Sequence, residues 1–574
     1  MYKNMLAASQ IPANSPAISE DYSDIIFRYQ LEPELLFTEL SRFSPQIVDT
    51  QYSILHAPLS DHLATVEQIG YSSVPNLFTY VDTVNLETAG IISAQNQPFL
   101  SLKGKGVLVG FLDSGIDYTH PAFRSPDGTT RILRIWDQTI QTGPSPDGMA
   151  YGTEYKQEQI NEALSSLSPY DIVPQRDEAG HGTAVAGLAC GSPDPSSEFI
   201  GAAPESMIIA VKLKPAKQYL RDYFLIPEGA AAFQETDLML GVRYMVNISK
   251  ELQMPLVICI TLGTNQGGHT GTTPLEDVLT SAQFNSGVYA VAGTGNEVGS
   301  GHHYFGEVSR QGEFRDIEIL VDEDTAGFTL EFWADAPELY SVGFTSPLGE
   351  TIQPIQPRSG ASIEFNFLLE NSRISLTYFL VEMLSGSQLA LMRFITPTPG
   401  VWRVRVTNIS FVNGAFHLWL PITGHVNPTI RFYTPNTDTT LVIPSCAEAI
   451  ITTGTFNAFR DSIFQNSGRG YTRNQIIKPE FVTPGVNATA PFPGNTYKTI
   501  SGSCAASALA AGATALLVES GLRLQDSPRY FTPREIKSLF EHGAVRGKNY
   551  PYPNREWGYG VMNVYGIFEA FLRL

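Results

Sequence analysis

Cysteine is scarce in this chain. Its 574 residues include four, Cys190, Cys259, Cys446 and Cys504, each in an apolar or small-residue stretch, and no two form a CxxC pair. Such wide spacing excludes a disulfide framework and a cysteine-ligated zinc site. Positive charge is also short: 37 Lys and Arg against 57 Asp and Glu leave a formal net charge of −20. The charges are spread rather than blocked, so neither nucleic acid nor an anionic membrane is an expected partner. Long hydrophobic runs are missing as well. The N-terminal MYKNMLAASQIPANSPAISEDYSD lacks the continuous apolar segment of a secretory signal, and no later stretch is expected to span a bilayer. Synthesis in the cytoplasm without Sec export is the expectation. No internal repeat or low-complexity linker interrupts the chain.

What is present is a long chain with 43% hydrophobic residues, too long for one core and expected to divide into two to four units. After an N-terminal extension over 1–22, residues 23–90 read as a small alternating module. SDIIFRYQ is a strand, PELLFTELSRF a helix, IVDTQYSILHAP a hairpin, DHLATVEQIG a helix and FTYVDTV a strand, a pattern that suits a ferredoxin-like open sandwich. Over 91–305 the rhythm becomes apolar runs followed by helical stretches, as in GVLVGFLDSG, MIIAVKL, DLMLGVRYMVNISKEL with PLVICITLG, and GVYAVAGTGNE. Strands alternating with helices indicate an α/β domain, a parallel sheet with helices on both faces. Over 306–435 short alternating segments such as FTLEFWADA, SIEFNFLLE and VWRVRVTN predict an inserted β-sandwich of jelly-roll type. The α/β pattern resumes over 436–574, so the insertion interrupts one domain.

Three segments carry chemistry. GVLVGFLDSGIDYTHPAF ends a buried strand on Asp113, at the carboxyl end where α/β sheets place ligands. Taken alone, an Asp before Ser-Gly is an ordinary strand-ending turn. DEAGHGTAVAGLACG sets His181 between glycines at the start of a helix of small residues. A single His at a helix start is usually polar surface, but GHGTxVAG downstream of a strand-ending DSG is a specific combination. TISGSCAASALAAGATALLVES opens a further small-residue helix with Cys504 in its first turn, where exposed N–H groups and the helix dipole favour an anion. By itself it reads equally as an Ala-rich core helix with a buried thiol.

Together, in this order, the three segments resemble the subtilisin-like serine peptidases over roughly residues 100–574 apart from the insertion. Thr261, Leu262 and Gly263 resemble the family's SLG strand along the substrate cleft, and GTGNE resembles the AGNE that supplies an oxyanion-hole amide, here Asn296. NSGRGYTRNQIIKPEFVTPGVN mirrors SSRG...KPDVVAPG, and GSCAASALAAGATALL mirrors GTSMAAPHVAGAAALL. Within the family, the DSGIDYTHPAFRSPDGTTRILRIWDQT stretch, the N-terminal module and the insertion are most similar to the Csp proteases of clostridial spores.

The resemblance implies that His181 takes the nucleophile's proton, Asp113 holds its tautomer, and Asn296 with the Cys504 N–H binds the oxyanion. The family's serine, however, falls on Cys504, and its preceding threonine on Ser503; Ser503 could serve only if the register slipped by one. A thiol beside an imidazole at a helix N-terminus should ionise more easily than a free one. Sulfur is nonetheless larger than oxygen and, as a thiolate, a better leaving group than an amine, so acyl transfer to activated esters should survive better than peptide hydrolysis. Three explanations stay open: a natural thiol variant of weak activity, a natural pseudoprotease, or a nucleophile exchanged to trap a zymogen.

By the same resemblance residues 23–90 are a prodomain that occupies the active-site cleft, with any cut between about Thr83 and Gln97. The substrate would be a protein, a cortex-lytic hydrolase precursor in the Csp group, and the location spore-associated. No cofactor is expected. Calcium is common in the family, but no site can be placed: Asp322, Glu323 and Asp324 read as a solvated turn, and His302 with His303 as a surface loop.

Overall fold

The computed structural model describes residues 15–29, 40–61, 69–80, 88–97, 100–323, 325–360, 362–524 and 529–572. Its centre is a nine-stranded sheet. In spatial order the strands are Ser462–Ile463, Ile451–Asn457, Val288–Gly293, Leu256–Ile260, Leu108–Asp113, Met207–Lys212, Ile132–Asp137 and Thr153–Lys156, with Phe481–Pro484 also paired to Ile451–Asn457. Pairing is parallel throughout the middle and antiparallel only for the short edge strands Ser462–Ile463 and Thr153–Lys156.

The buried strands are apolar on both faces because each face has its own helical cover. Val109, Phe111, Val257 and Cys259 join one core with the helices His181–Cys190 and Ser503–Leu522. Leu108, Leu112, Ile258 and Ile260 join another with the helices Glu235–Leu252 and Pro274–Ala282. Small residues in the first pair of helices permit a close approach. A Cβ on Gly512 would lie 2.4 Å from the Ala202 Cβ and 2.7 Å from the Ala189 carbonyl oxygen. By length and composition alone the helix Ser503–Leu522 is long and apolar enough to cross a membrane, but 89% of its apolar window is buried inside the fold, as in any core helix.

Ahead of this domain, Tyr22–Arg28 pairs antiparallel with Tyr52–Pro58, which pairs in turn with Gln46–Ile47. The two helices expected over PELLFTELSRF and DHLATVEQIG lie largely outside the described residues, as does the end of FTYVDTV. The described part of that last strand, Leu77–Tyr80, does not join the N-terminal sheet. It is the middle strand of a separate three-stranded sheet, between Phe233–Gln234 and Leu262–Gly263.

Between His303 and Phe432 the chain forms a six-stranded and a five-stranded antiparallel sheet. Their facing side chains, among them Phe332, Phe394, Trp402 and Phe416, make one apolar core. The strand His303–Glu307 begins this unit, and it overturns the expectation of a surface loop at His302 and His303, each 2% exposed. His302 Nδ1 lies 2.7 Å from a Glu297 carboxylate oxygen. His303 Nε2 lies 2.9 Å from His417 Nδ1, and both rings stack on Trp419.

Candidate active site

Asp113 ends the central strand Leu108–Asp113, and the helix carrying His181 starts beside it. Gly180 precedes that helix with φ +77°, a left-handed conformation that glycine adopts without strain. Gly182 is required for another reason: a Cβ there would sit 2.1 Å from the Gly115 carbonyl oxygen and 3.1 Å from the Asp113 Cβ. Both glycines flanking His181 in GHGT thus bring the imidazole to the carboxylate. His181 Nδ1 lies 2.8 Å from each Asp113 carboxylate oxygen, and its Nε2 lies 3.2 Å from the Cys504 sulfur.

Asp113 is itself held from behind. Thr261 Oγ1 donates to its Oδ2 at 2.6 Å, and the Ser114 N–H donates to its Oδ1 at 2.7 Å. Burial alone would raise its pKa, but His181 and these hydrogen bonds keep the carboxyl below its ordinary value. An ionised Asp113 fixes the imidazole with Nδ1 protonated and Nε2 facing sulfur.

Sequence reasoning missed Asp177. Its Oδ1 accepts from the Gly180 N–H and the Ser114 hydroxyl, and its Oδ2 from the Thr183 N–H and hydroxyl, all between 2.6 and 2.8 Å. One buried carboxylate therefore ties the turn before His181 to the first turn of its helix and to the residue after Asp113. The signal was its position three residues before Gly180, an acidic residue poised to cap a helix start.

Cys504 lies in the first turn of Ser503–Leu522, whose leading N–H groups have no partner within the helix. Asn296 Oδ1 accepts from the Ser503 N–H at 3.1 Å, which turns its Nδ2 end into the donor. The Ser503 hydroxyl accepts from the Gly295 N–H at 2.9 Å and faces Gly293, where a Cβ would come within 2.2 Å of it. It points to the Gly293–Gly295 loop, so the slipped register that would make Ser503 the nucleophile is not adopted.

The three residues expected along the cleft divide by role. Thr261 spends its hydroxyl on Asp113, whereas Leu262 and Gly263 form a two-residue strand whose partners are Tyr80 and Thr79. Thr261, Leu262, Ser503 and Cys504 line one tight recess that has no room for a water molecule. A segment of the chain's own N-terminal region thus lies in extended form along the wall that leads to the thiol. Glu297, next to Asn296, is occupied elsewhere, by His302, Asn265 and the Thr423 N–H. Among the described residues no cluster of three or more His, Cys, Asp or Glu side chains could hold a metal ion.

A sequence model of the subtilase family matches residues 104–344 and 410–560, on either side of the middle half of the two-sheet unit. The chain belongs to the subtilase family. A solved structure, that of the Clostridium perfringens CspB protease, is similar to this subtilase with a TM-score of 0.75 and 31% identity, covering 85% of this chain and 99% of that one. Among curated proteins, the PII-type proteinase of Lacticaseibacillus paracasei is 27% identical over 237 residues, 39% of this chain and 11% of its own length. The subtilisin of Bacillus pumilus is 24% identical over 198 residues, 34% of this chain and 50% of its own length. This subtilase therefore spans only a small part of the first of these curated relatives and half of the second.

Proposed function

We propose that this protein is a subtilisin-like zymogen of the Csp type whose thiol nucleophile, Cys504, transfers acyl groups and cuts peptides weakly. The observation that carries the reading is the line Asp113–His181–Cys504, with contacts of 2.8 and 3.2 Å. In it His181 accepts the Cys504 proton, Asp113 stabilises the imidazolium, and Asn296 with the Cys504 N–H receives the oxyanion. Residues 23–90 are the prodomain, and the strand Leu77–Tyr80 lies in the cleft as a substrate segment would. The two-sheet unit is the inserted β-sandwich. The substrate class is a protein, with a cortex-lytic hydrolase precursor of a germinating spore as the specific candidate and the spore as the location.

Cys504 itself favours a second reading, a pseudoprotease that regulates germination by binding. Intact-mass analysis of the purified chain and of Cys504→Ser separates the two. A serine variant that loses its N-terminal module while the thiol form stays whole identifies sulfur as the brake. If both stay whole, the peptidase reading falls and binding is left.

A further inference from the structure

The N-terminal module makes contacts beyond the cleft strand, and one of them falls on the unit between His303 and Phe432. Tyr71, 6% exposed, donates its hydroxyl to Glu331 Oε1 at 2.6 Å. The other oxygen of Glu331 accepts from the Gly267 N–H at 2.9 Å and from Trp333 Nε1 at 3.0 Å. Gly267 lies four residues beyond Gly263 on the chain leaving the cleft wall. One buried carboxylate of the two-sheet unit therefore joins the module to the loop that continues the substrate-binding strand.

Apolar contacts run along the same line. Tyr71 meets Trp333 edge-on, with ring centroids 5.6 Å apart. Tyr71, Val74 and Leu77 belong to one buried cluster with Leu220 and Phe224 of the catalytic domain and Trp333 and Leu391 of the two-sheet unit. Between Tyr71 and the cleft strand, the Asn76 N–H donates to Glu235 and the Leu77 N–H to Gln266, both at 3.0 Å. The segment Tyr71–Leu77 is thus gripped from two sides before it enters the cleft.

We propose that the face of the two-sheet unit centred on Glu331 and Trp333 is a docking surface for the chain's own N-terminal module, a latch that keeps the module in the cleft independently of whether the chain is cut. The inference rests on the reading that Leu77–Tyr80 occupies the substrate position. It gives the insertion a role in controlling access to Cys504, and it makes Glu331 a positioning residue that acts through Tyr71.

The test measures the iodoacetamide alkylation rate of Cys504 in the full chain, with the labelled peptide identified by mass spectrometry. Tyr71→Phe removes one hydrogen bond and keeps the ring; Glu331→Gln turns an amide N–H toward a donor. Each should speed alkylation about fivefold, the equivalent of one ordinary hydrogen bond. Thr79→Pro, which breaks the cleft strand itself, should speed it at least as much. Unchanged rates in Tyr71→Phe and Glu331→Gln beside a faster Thr79→Pro overturn the latch and leave the cleft reading intact. An unchanged Thr79→Pro overturns the cleft reading and the latch with it. Should Glu331→Gln fail to fold, Tyr71→Phe decides.

Discussion

Four thiols in this protein are buried to the same degree, Cys190 and Cys446 at 0% exposure and Cys259 and Cys504 at 1%, and only one of them is set up for chemistry. Cys190 and Cys259 sit in the same apolar core as Cys504, and Cys446 in the core on the opposite face of the sheet. Burial pushes the Cys190 thiol up to about 11, against the pull of Ser206 and Arg131, and it drives Cys259 and Cys446 well above their ordinary value. What faces Cys504 is different: an imidazole nitrogen at 3.2 Å and the first turn of a helix. Burial alone does not tell a structural cysteine from a nucleophile. The groups aimed at the sulfur do.

The largest effect should come from making the Cys504 region resemble the other three. Asp113→Asn leaves the shape of the site and removes the charge that sets the His181 tautomer. Turnover of an activated ester by Cys504 should fall by about 10³ to 10⁴-fold, the scale on which serine triads respond to the same change. A loss below tenfold, measured by release of a chromogenic leaving group, would mean that the thiol works without the line Asp113–His181.

The next effect separates the regions by pH. The strand Leu77–Tyr80 pairs with Leu262–Gly263, and Glu235 accepts the N–H of Asn76 just before it. Burial pushes the Glu235 carboxyl up to about 7 from an ordinary value near 4.5, despite N–H bonds from Asn76 and Leu275. Folding therefore favours the neutral acid. The stability of this site is full below about pH 4.5 and is lost as pH rises through 7, at a cost of about 3 kcal/mol. Glu235→Gln mimics the neutral form. A melting temperature that falls between pH 5 and 8 in the parent and stays flatter in Glu235→Gln is the expected result; parallel curves would remove Glu235 from the explanation.

These contrasts were partly legible from the chain alone. The glycines around His181 and the small residues after Cys504 announce tight packing, and Gly182 and Gly512 do stand where a Cβ would collide. Asp113 at a strand end follows from the apolar run before it. Pairings between distant segments left no comparable local mark. Nothing in FTYVDTV says that its first residues join a cleft wall nearly two hundred residues away instead of their own module. The hydroxyl of Thr261 was read as cleft lining and is spent on Asp113. His302 and His303 look like surface because the partners that bury them, Glu297 on one side and His417 with Trp419 on the other, come from elements that only the fold brings together.

A smaller effect compares the thiols directly. In the folded chain Cys190, Cys259 and Cys446 meet a reagent only when their cores open, whereas on the proposed reading Cys504 is reached once the cleft strand moves. Iodoacetamide should label Cys504 about 10²-fold faster than any of the other three, as counted by peptide mass spectrometry over time. Equal rates would place Cys504 among the structural cysteines and would sink its role as nucleophile.

The smallest change is Cys259→Ala, on the core side of the comparison. Cys259 lies on the strand Leu256–Ile260, which also leads to Thr261, so it is close in sequence to the site yet faces the apolar core. Removing its sulfur leaves a small cavity and should cost about 1 to 2 kcal/mol of stability, read as a modest drop in melting temperature. Ester turnover by Cys504 should stay within about twofold, because no hydrogen bond of the Asp113–His181–Cys504 line passes through residue 259. If turnover fell along with stability, the two thiols would be mechanically coupled through that strand. The division between a reactive sulfur and three inert ones would then describe one connected core rather than two separate environments.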